Sequence, residues 1–212
     1  MKIKKINASI ETPEGISAIL DNNKIKYNSI GCVNWEKEFP YKPEVIFRTA
    51  YTDTDILLDY EVSEATARAV AGSDGGNVWE DSCVEFFIRP EEGKEYFNIE
   101  CNCAGTLLIA KGENRDKRTQ LSSAEMAKVK RYSSLGREPF CEKTLSAPWH
   151  LSLMIPFSVL GIEKVPTGKR FRANFYKCGD ALTTPHFLSW APIDAPTPNF
   201  HLPEFFAPIS FE

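Results

Sequence analysis

The residues best suited to specific chemistry lie on three segments in which apolar and polar side chains alternate. Their polar positions are, in chain order, Glu85, Asn98, Glu100, Asn102, Arg172, Asn174 and Tyr176. Carboxylate, amide, guanidinium and phenol groups make directional hydrogen bonds. If the three segments form neighbouring strands, these groups share one face. Such a face suits sugar hydroxyls, because each hydroxyl both donates and accepts. A plainer interpretation stays open, in which Arg172 pairs with a carboxylate and the amides bond to loop backbone.

Two of the four tryptophans lie beside loops and are candidates for ligand contact. Trp79 follows the small-residue stretch 71–77, AGSDGGN, and Trp190 stands just before the Ala-Pro pair 191–192. An indole at a rim can stack its flat face on a sugar ring while its N–H reaches water. The alternative is that both rings only cap the end of the fold. Trp149 differs, since it lies within an alternating apolar segment and is predicted to be a core residue.

Glu85 and Glu100 also fit a second chemistry, the hydrolysis of a glycosidic bond. Glycosidases use two carboxyl groups about 5–5.5 Å or about 6.5–9.5 Å apart, and residues on neighbouring strands can meet such a spacing. Charged residues are common on sheet faces, so a hydrolase is the alternative here and not the leading interpretation. The sequence contains no GxSxG motif, and none of its three histidines stands beside a marked nucleophile.

Oxygen ligands for a metal ion are concentrated in two acidic loops. The candidates for calcium are Asp53, Asp55, Asp74, Glu80 and Asp81. Oxygen ligands suit calcium, but no EF-hand spacing is present, and acidic loops are more often solvated. We therefore predict that no cofactor is required and keep structural calcium as an open alternative. The six cysteines include no CxxC pair, so we predict free thiols that pack as small apolar residues.

Alternation with a period of two predicts strands over much of the chain. The predicted strands cover residues 44–51, 56–62, 82–89, 96–103, 106–110, 149–155 and 168–179. A capping-box pattern beginning at Ser122 predicts one short helix, and the segment 156–161 predicts one further helical turn. Fourteen Phe, seven Tyr, fourteen Pro and twelve Gly suit pleated surfaces joined by turns. The expected fold is all-β: a single-domain antiparallel β-sandwich of the immunoglobulin or jelly-roll kind, spanning residues 1–212.

Residues 79–88, WEDSCVEFFI, resemble a strand pattern of family-9 carbohydrate-binding modules, W-x-D-S/D-x-V-E followed by three apolar residues. Further blocks in the family's order are YFNIE at 96–100, the stretch 149–161, FRANFYK at 171–177, LSWAP at 188–192 and FHLPEFF at 200–206. Together these blocks cover roughly residues 40–212. The combination is more specific than any one block.

The resemblance implies a β-sandwich that binds carbohydrate without cleaving it. In the sugar-binding members a terminal sugar lies between two tryptophans. The matching positions here are Trp79 and Trp190, with Glu85 matching the family's hydrogen-bonding acid. Three further ligand-binding candidates come from the strand-face argument and not from the family: Asn98, Arg172 and Asn174.

The resemblance also implies partners for such a sandwich. They are xylan or a related polysaccharide, structural calcium and an associated glycosidase. An endoxylanase-like hydrolase acting through Glu85 and Glu100 is the enzymatic alternative. A sandwich used only for protein–protein contact is the third interpretation.

The overall composition narrows the classes of partner. A net charge of −4 argues against nucleic-acid binding, which normally requires a basic excess. No apolar run approaches the ~20 residues of a membrane span. The basic start MKIKKI is followed by Asn7 and Glu11 and not by an apolar stretch, so no signal peptide is visible. The protein is expected to be cytoplasmic by default, or exported if its sequence begins after a signal.

Overall fold

The structure is a computed structural model that describes residues 1–212, and β-strands are its main element. The sixteen strands are β1 (Lys2–Lys5), β2 (Asn28–Ser29), β3 (Cys32–Val33), β4 (Glu44–Tyr51), β5 (Asp55–Ser63), β6 (Thr66–Ala69), β7 (Cys83–Pro90), β8 (Tyr96–Asn102), β9 (Leu107–Gly112), β10 (Arg118–Gln120), β11 (Lys130–Ser133), β12 (Phe140–Thr144), β13 (Trp149–Pro156), β14 (Arg170–Cys178), β15 (Phe187–Ser189) and β16 (Ala207–Phe211). The helices are α1 (Ile16–Asn22), α2 (Ser123–Met126) and short 3-10 helices at Pro13–Gly15, Val78–Glu80, Phe157–Leu160 and Pro203–Phe205. None of the helices combines the length and the apolar composition that a membrane span needs.

Fourteen strands form one continuous sheet that curls into two facing layers. One layer has the order β10–β9–β8–β7–β14–β16, and the other has the order β4–β5–β13–β11. Pairing within each layer is antiparallel, whereas β1 pairs in parallel with both β16 and β4 and so links the layers. The strands β12 and β6 form a separate ribbon. The prediction of an all-β fold with short helices is confirmed.

The main hydrophobic core lies between the two layers. Phe175 of β14 stacks on Phe86 of β7, with ring centroids 4.8 Å apart, and on Phe47 of β4 at 4.0 Å. Because β4 belongs to the opposite layer, this stack joins the layers. Trp149 is fully buried in the same core, and its indole N–H donates to the Glu64 carboxylate at 2.8 Å. The prediction that Trp149 is a core residue is confirmed.

The outer face of the β8–β7–β14 region is covered as well. A second apolar cluster lies on it, formed by Trp35, Val78, Cys83, Phe87, Tyr96, Leu108, Tyr176, Cys178, Ile193, Phe200 and Phe206. Three of these residues belong to the segment 191–206, which we call the C-terminal cover. Residues 83–88 of β7 are therefore buried on both faces. The alternating side chains of β7 face the main core on one side and the second apolar cluster on the other, so neither face is exposed to solvent.

The helix α2 begins where the sequence predicts a helix. The Ser122 hydroxyl accepts a hydrogen bond from the Glu125 N–H at 3.3 Å, and the Glu125 carboxylate accepts from the Ser122 N–H at 2.9 Å. This reciprocal pair satisfies two N–H groups that the first helical turn would otherwise leave free. The capping-box prediction is confirmed.

Candidate functional site

The three segments with polar faces are neighbours in the order β8–β7–β14. Glu85 pairs directly with Glu100 of β8 on one side and with Tyr176 of β14 on the other. Asn98 and Asn174 pair in the same way, on either side of a β7 phenylalanine. The Cβ atoms of directly opposed residues lie about 4.5–5.5 Å apart. The predicted adjacency of these strands is confirmed, and it brings two carboxyl groups side by side.

A cavity opens over this pair of carboxyls, near the start of β7. With its open mouth it holds about 500 Å³ of empty space, of which about 70 Å³ admits the centre of a water molecule. Its walls are formed by Trp79, Glu85, Glu100, Arg115, Arg118, Cys178, Asp180, Phe187, Pro198, Asn199, Phe200 and His201. Aromatic walls with a few convergent polar groups are typical of small-molecule sites.

Trp79 is held at the cavity by the 3-10 helix Val78–Glu80. Its carbonyl accepts a hydrogen bond from the Asp180 N–H at 3.1 Å. The nearby Asp81 is buried, and its carboxylate accepts two backbone N–H groups of the β6–β7 connection at 2.9 Å each. The same connection turns through Gly75 at a φ of 85°, where an added Cβ would meet a β10 side chain at 2.2 Å. These contacts fix the loop that carries the indole.

Glu85 and Glu100 are both buried but have different partners. The Glu85 carboxylate accepts a hydrogen bond from the Cys178 thiol at 3.2 Å and pairs with no cation. The Glu100 carboxylate accepts from the Asn98 amide at 2.8 Å and lies 3.5 Å from the Arg118 guanidinium. Burial raises the pKa of Glu100 to about 7. Burial, together with the charge of Glu100, raises the pKa of Glu85 well above its ordinary value.

A hydrogen-bonded chain of side chains holds Arg118 beside Glu100. The Arg118 guanidinium donates a hydrogen bond to Nε2 of His201, a residue of the C-terminal cover, at 3.1 Å. Because arginine can only donate, Nδ1 of His201 carries the ring proton and donates to the Tyr96 hydroxyl at 2.7 Å. Burial and the charges of Arg118 and Arg115 lower the pKa of His201 to about 3. The ring therefore stays neutral and keeps the guanidinium at the cavity.

A comparison with protein families shows what kind of protein carries this cavity. A family model described as carbohydrate-binding family 9 matches residues 14–211. The chain belongs to carbohydrate-binding family 9. A search of curated proteins found no match.

Solved structures similar to this family 9 chain support the assignment of the fold. A crystal structure at 2.70 Å resolution of a provisionally assigned carbohydrate-binding protein from Bacteroides uniformis ATCC 8492 has 48% sequence identity and a TM-score of 0.95. That match covers 100% of this chain and 98% of the other. A family 9 module from Caldicellulosiruptor kristjanssonii, solved with cellotriose and with glucose, gives TM-scores of 0.61 and 0.57 at 12% and 13% identity. These matches cover 100% of this chain and 94% and 96% of the others, and at such low identity the likeness concerns the fold alone.

The structure places Trp190 of the family 9 chain away from the cavity. Its indole packs edge-on against Phe175, with ring centroids 5.7 Å apart, and against Phe47 at 6.4 Å. Both phenylalanines belong to the main core, so Trp190 lies on the inner side of the layer. Trp79 lies on the outer side with Glu85, where both line the cavity. The structure therefore does not bring the two predicted tryptophans together across one slot.

The three candidates from the strand-face argument do not line the cavity. The Asn174 amide accepts from the Ala191 N–H at 2.9 Å and donates to the Ala191 carbonyl at 3.1 Å, which ties the start of the C-terminal cover to β14. Arg172 donates to the Phe206 carbonyl at 3.0 Å, at the other end of the cover. Asn98 is buried and bonded to a cavity carboxyl, as described above. All three side chains position other parts of the site.

Several cavity residues escaped the sequence analysis. They are Arg115, Arg118, Cys178, Asp180, Phe187, Pro198, Asn199, Phe200 and His201. Most lie in loops or in strands of three residues, where no alternation can develop. The one available signal was the block at 200–206, which belongs to the family resemblance and contains two of these residues. That block is typical of the family, but its sequence does not mark Phe200 or His201 as binding residues.

The acidic loop beside Trp79 is bonded to protein donors. Asp74 makes two hydrogen bonds of 2.8 Å to the Arg131 guanidinium, and Asp81 lies 3.3 Å from Arg68. These pairs hold the loop against neighbouring strands. Calcium binding by the acidic loops stays a prediction.

Proposed function

We propose that this family 9 module binds the terminal sugar of an oligo- or polysaccharide in the Trp79 cavity, without catalysis. The observation that carries the proposal is that Trp79 and Glu85 line the same cavity. An indole offers an apolar face to the C–H groups of a sugar ring, and a carboxyl beside it offers hydrogen bonds to the hydroxyls. Membership of a family named for carbohydrate binding supports the same conclusion.

The shape of the cavity favours a chain end over the middle of a chain. The space that admits a water centre is about 70 Å³, and residues 198–201 of the C-terminal cover wall one side. A chain end needs only one open side of the cavity, whereas the middle of a polysaccharide needs two. The glucose and cellotriose bound to the Caldicellulosiruptor kristjanssonii module support a gluco-configured ligand. Xylan, and an associated glycosidase, stay predictions.

The second aromatic wall differs from the predicted pair of tryptophans. Phe187 and Phe200 line the cavity with Trp79, and their ring centroids lie 6.2 Å apart in an edge-to-face arrangement. We assign to these phenylalanines the contact that the sequence analysis assigned to Trp190. A sugar in the cavity would then meet one indole and one phenyl wall.

A glycoside hydrolase is the alternative that a specific observation favours. Glu85 and Glu100 are directly opposed on adjacent strands and line one cavity, as the paired carboxyl groups of a glycosidase would. Against this alternative, the family model that matches this chain is described by carbohydrate binding. Binding without hydrolysis is therefore the better-supported function.

Isothermal titration with glucose, cellobiose, cellotriose and xylotriose tests the proposal. Trp79→Ala is expected to weaken binding by about 2 kcal/mol, roughly thirtyfold, as for a typical aromatic anchor. The matched control Glu91→Gln changes an exposed carboxyl in the turn after β7 and should leave binding unchanged. If one terminal ring is recognised, the affinities for the three glucose-based ligands should agree within about threefold. A steady rise in affinity with chain length would contradict terminal recognition.

Two variants of Glu85 separate binding from hydrolysis. Glu85→Ala removes the hydrogen-bonding group and should weaken binding, whereas Glu85→Gln keeps a donor and an acceptor and should retain most of the affinity. A hydrolase would lose turnover of aryl glycosides with either variant. Turnover by the wild-type chain that Glu85→Gln abolishes would displace the binding proposal. Flat titrations across the whole panel would favour a role in protein–protein contact.

A further inference from the structure

Cys83, Cys178 and Glu85 form a buried cluster beneath the cavity. Cys83 of β7 and Cys178 of β14 are directly opposed across the two strands. Glu85 follows Cys83 by two residues, so its side chain lies on the same face of the sheet. The two Sγ atoms and a carboxylate oxygen of Glu85 all lie within 4.8 Å of one another. None of the three residues is more than 3% exposed.

The needs of the fold do not explain why these three groups lie together. The only protein hydrogen bond to the Glu85 carboxylate comes from the Cys178 thiol, which is a weak donor. A buried carboxyl usually has stronger donors or a cation beside it, because burial without such partners costs free energy. The Cys101 and Cys83 thiols each donate only to a backbone carbonyl, at 3.6 Å, whereas the Cys178 thiol also donates to a carboxylate. The cluster therefore points to a function beyond packing.

The donor set matches a cation that prefers sulfur ligands. Thiolates favour Zn²⁺ and related ions, whereas calcium and magnesium prefer oxygen alone. Structural zinc takes four ligands in a tetrahedron, and carboxylates serve beside cysteines. Zinc sites with three protein ligands also occur, and they leave the fourth position to water. Because Glu85 and Cys178 also line the cavity, an ion has a path from solvent.

We propose that Cys83, Cys178 and Glu85 form a three-ligand binding site, open to the cavity at its fourth position, for a thiophilic divalent cation of the Zn²⁺ class. Each thiol loses its S–H proton as its sulfur–metal bond forms, and any proton on the carboxyl is released with them to solvent. The site differs from the calcium expected in the acidic loops in both its ligands and its position. It shares Glu85 and Cys178 with the saccharide cavity, but its test contains no sugar, so its failure can be distinguished from a failure of saccharide binding.

Titration of the chelator-treated, reduced full-length chain with Cd²⁺ tests the site. Binding should produce a thiolate-to-metal charge-transfer band in the ultraviolet that saturates at about one ion per chain, with release of about two or more protons. Cys83→Ala and Cys178→Ala should each lower the Cd²⁺ affinity at least about tenfold. The matched control is Cys141→Ala, which changes an exposed cysteine on β12 and should leave the titration unchanged.

Three results would overturn the inference. They are the absence of a charge-transfer band in the wild-type chain, a band that both Cys83→Ala and Cys178→Ala retain, and Cd²⁺ binding without proton release. The first and third results come from the wild-type chain and do not require a variant to fold. A thiol count without reductant is expected to find all six cysteines free. If the wild-type count falls short of six by two, and Cys83→Ala shows no such deficit, Cys83 and Cys178 form a disulfide in place of the metal site.

Discussion

We expect Trp190→Ala to lower the stability of this family 9 module and Trp79→Ala to lower its affinity for saccharide. Trp190 packs edge-on against Phe175 and Phe47 of the main core, with ring centroids 5.7 and 6.4 Å apart. Removing a buried tryptophan costs about 3–5 kcal/mol, and an aromatic edge contact contributes about 0.5–1.5 kcal/mol. Because Trp190 is only partly buried, we expect Trp190→Ala to cost about 3 kcal/mol. For a chain of this length, that cost lowers the Tm by about 6–12 °C.

The same change should leave saccharide affinity nearly unaltered, because Trp190 does not line the cavity. Trp79→Ala should show the reverse pattern, with the roughly thirtyfold loss of affinity given above and a smaller loss of Tm. Trp149→Ala calibrates the stability scale, because it removes a fully buried ring and a hydrogen bond to Glu64. Its loss of Tm should be at least as large as that of Trp190→Ala. Calorimetric unfolding and isothermal titration on the same preparations measure both quantities.

Trp190→Phe is the matched control, since a phenyl ring keeps most of the edge contact with Phe175. It should recover most of the Tm that Trp190→Ala loses. The reasoning is refuted if Trp190→Ala abolishes binding while the Tm stays constant, because the indole would then contact the ligand. It is also refuted if Trp79→Ala unfolds the protein, because Trp79 would then be a structural residue.

Three further predictions concern stability. Asn174→Ala breaks two hydrogen bonds to Ala191. The Ala191 N–H loses its partner, whereas the Ala191 carbonyl still accepts from the Ser189 hydroxyl at 2.6 Å, so the free energy of unfolding in urea should fall by about 2 kcal/mol. An unchanged value would show that the C-terminal cover is held by other contacts. Burial and the charge of Lys177 lower the pKa of His186 to about 3, whereas an unfolded histidine titrates near ~6.5. The unfolded state thus binds more protons below pH ~6.5, so this residue removes stability as the pH falls towards 3, by about 2 kcal/mol at pH 5. His186→Gln should flatten that part of the urea-measured pH profile, and an unaltered profile would contradict the assignment. Structural calcium in the acidic loops predicts a Tm that falls in chelator and recovers with added calcium; equal values would count against it.

The long strands of this protein could be predicted because their signal is local. The strands β4, β5, β7 and β14 agree with the predicted ranges to within about two residues, since each carries a clear period of two. The helix α2 followed from a capping box in which Ser122 and Glu125 bond to each other. In both cases the residues that determine the structure are near neighbours in the chain.

The shorter elements could not be predicted, because their partners are distant in the chain. The strand β16 is stabilised by pairing with β14 and with the N-terminal β1, and β1 itself has four residues. The helix α1 has only seven residues, and it buries Ile16 and Leu20 against Ala50 and Leu57 of the β4–β5 hairpin. Nothing within such short segments distinguishes them from loops.

The sequence by itself determined which side chains share a face of each long strand, because successive residues of a strand point in opposite directions. That parity placed Glu85 and Glu100 together once β7 and β8 were neighbours. Only the tertiary structure decided that this face is covered. The cover is irregular chain held by distant contacts, such as the ring of Phe200 stacked 4.2 Å from that of Tyr176. It also decided the side on which Trp190 lies, because the Trp190 N–H donates to the Phe175 carbonyl and continues the pairing of β15 with β14, so the indole faces the main core as Phe175 and Leu188 do.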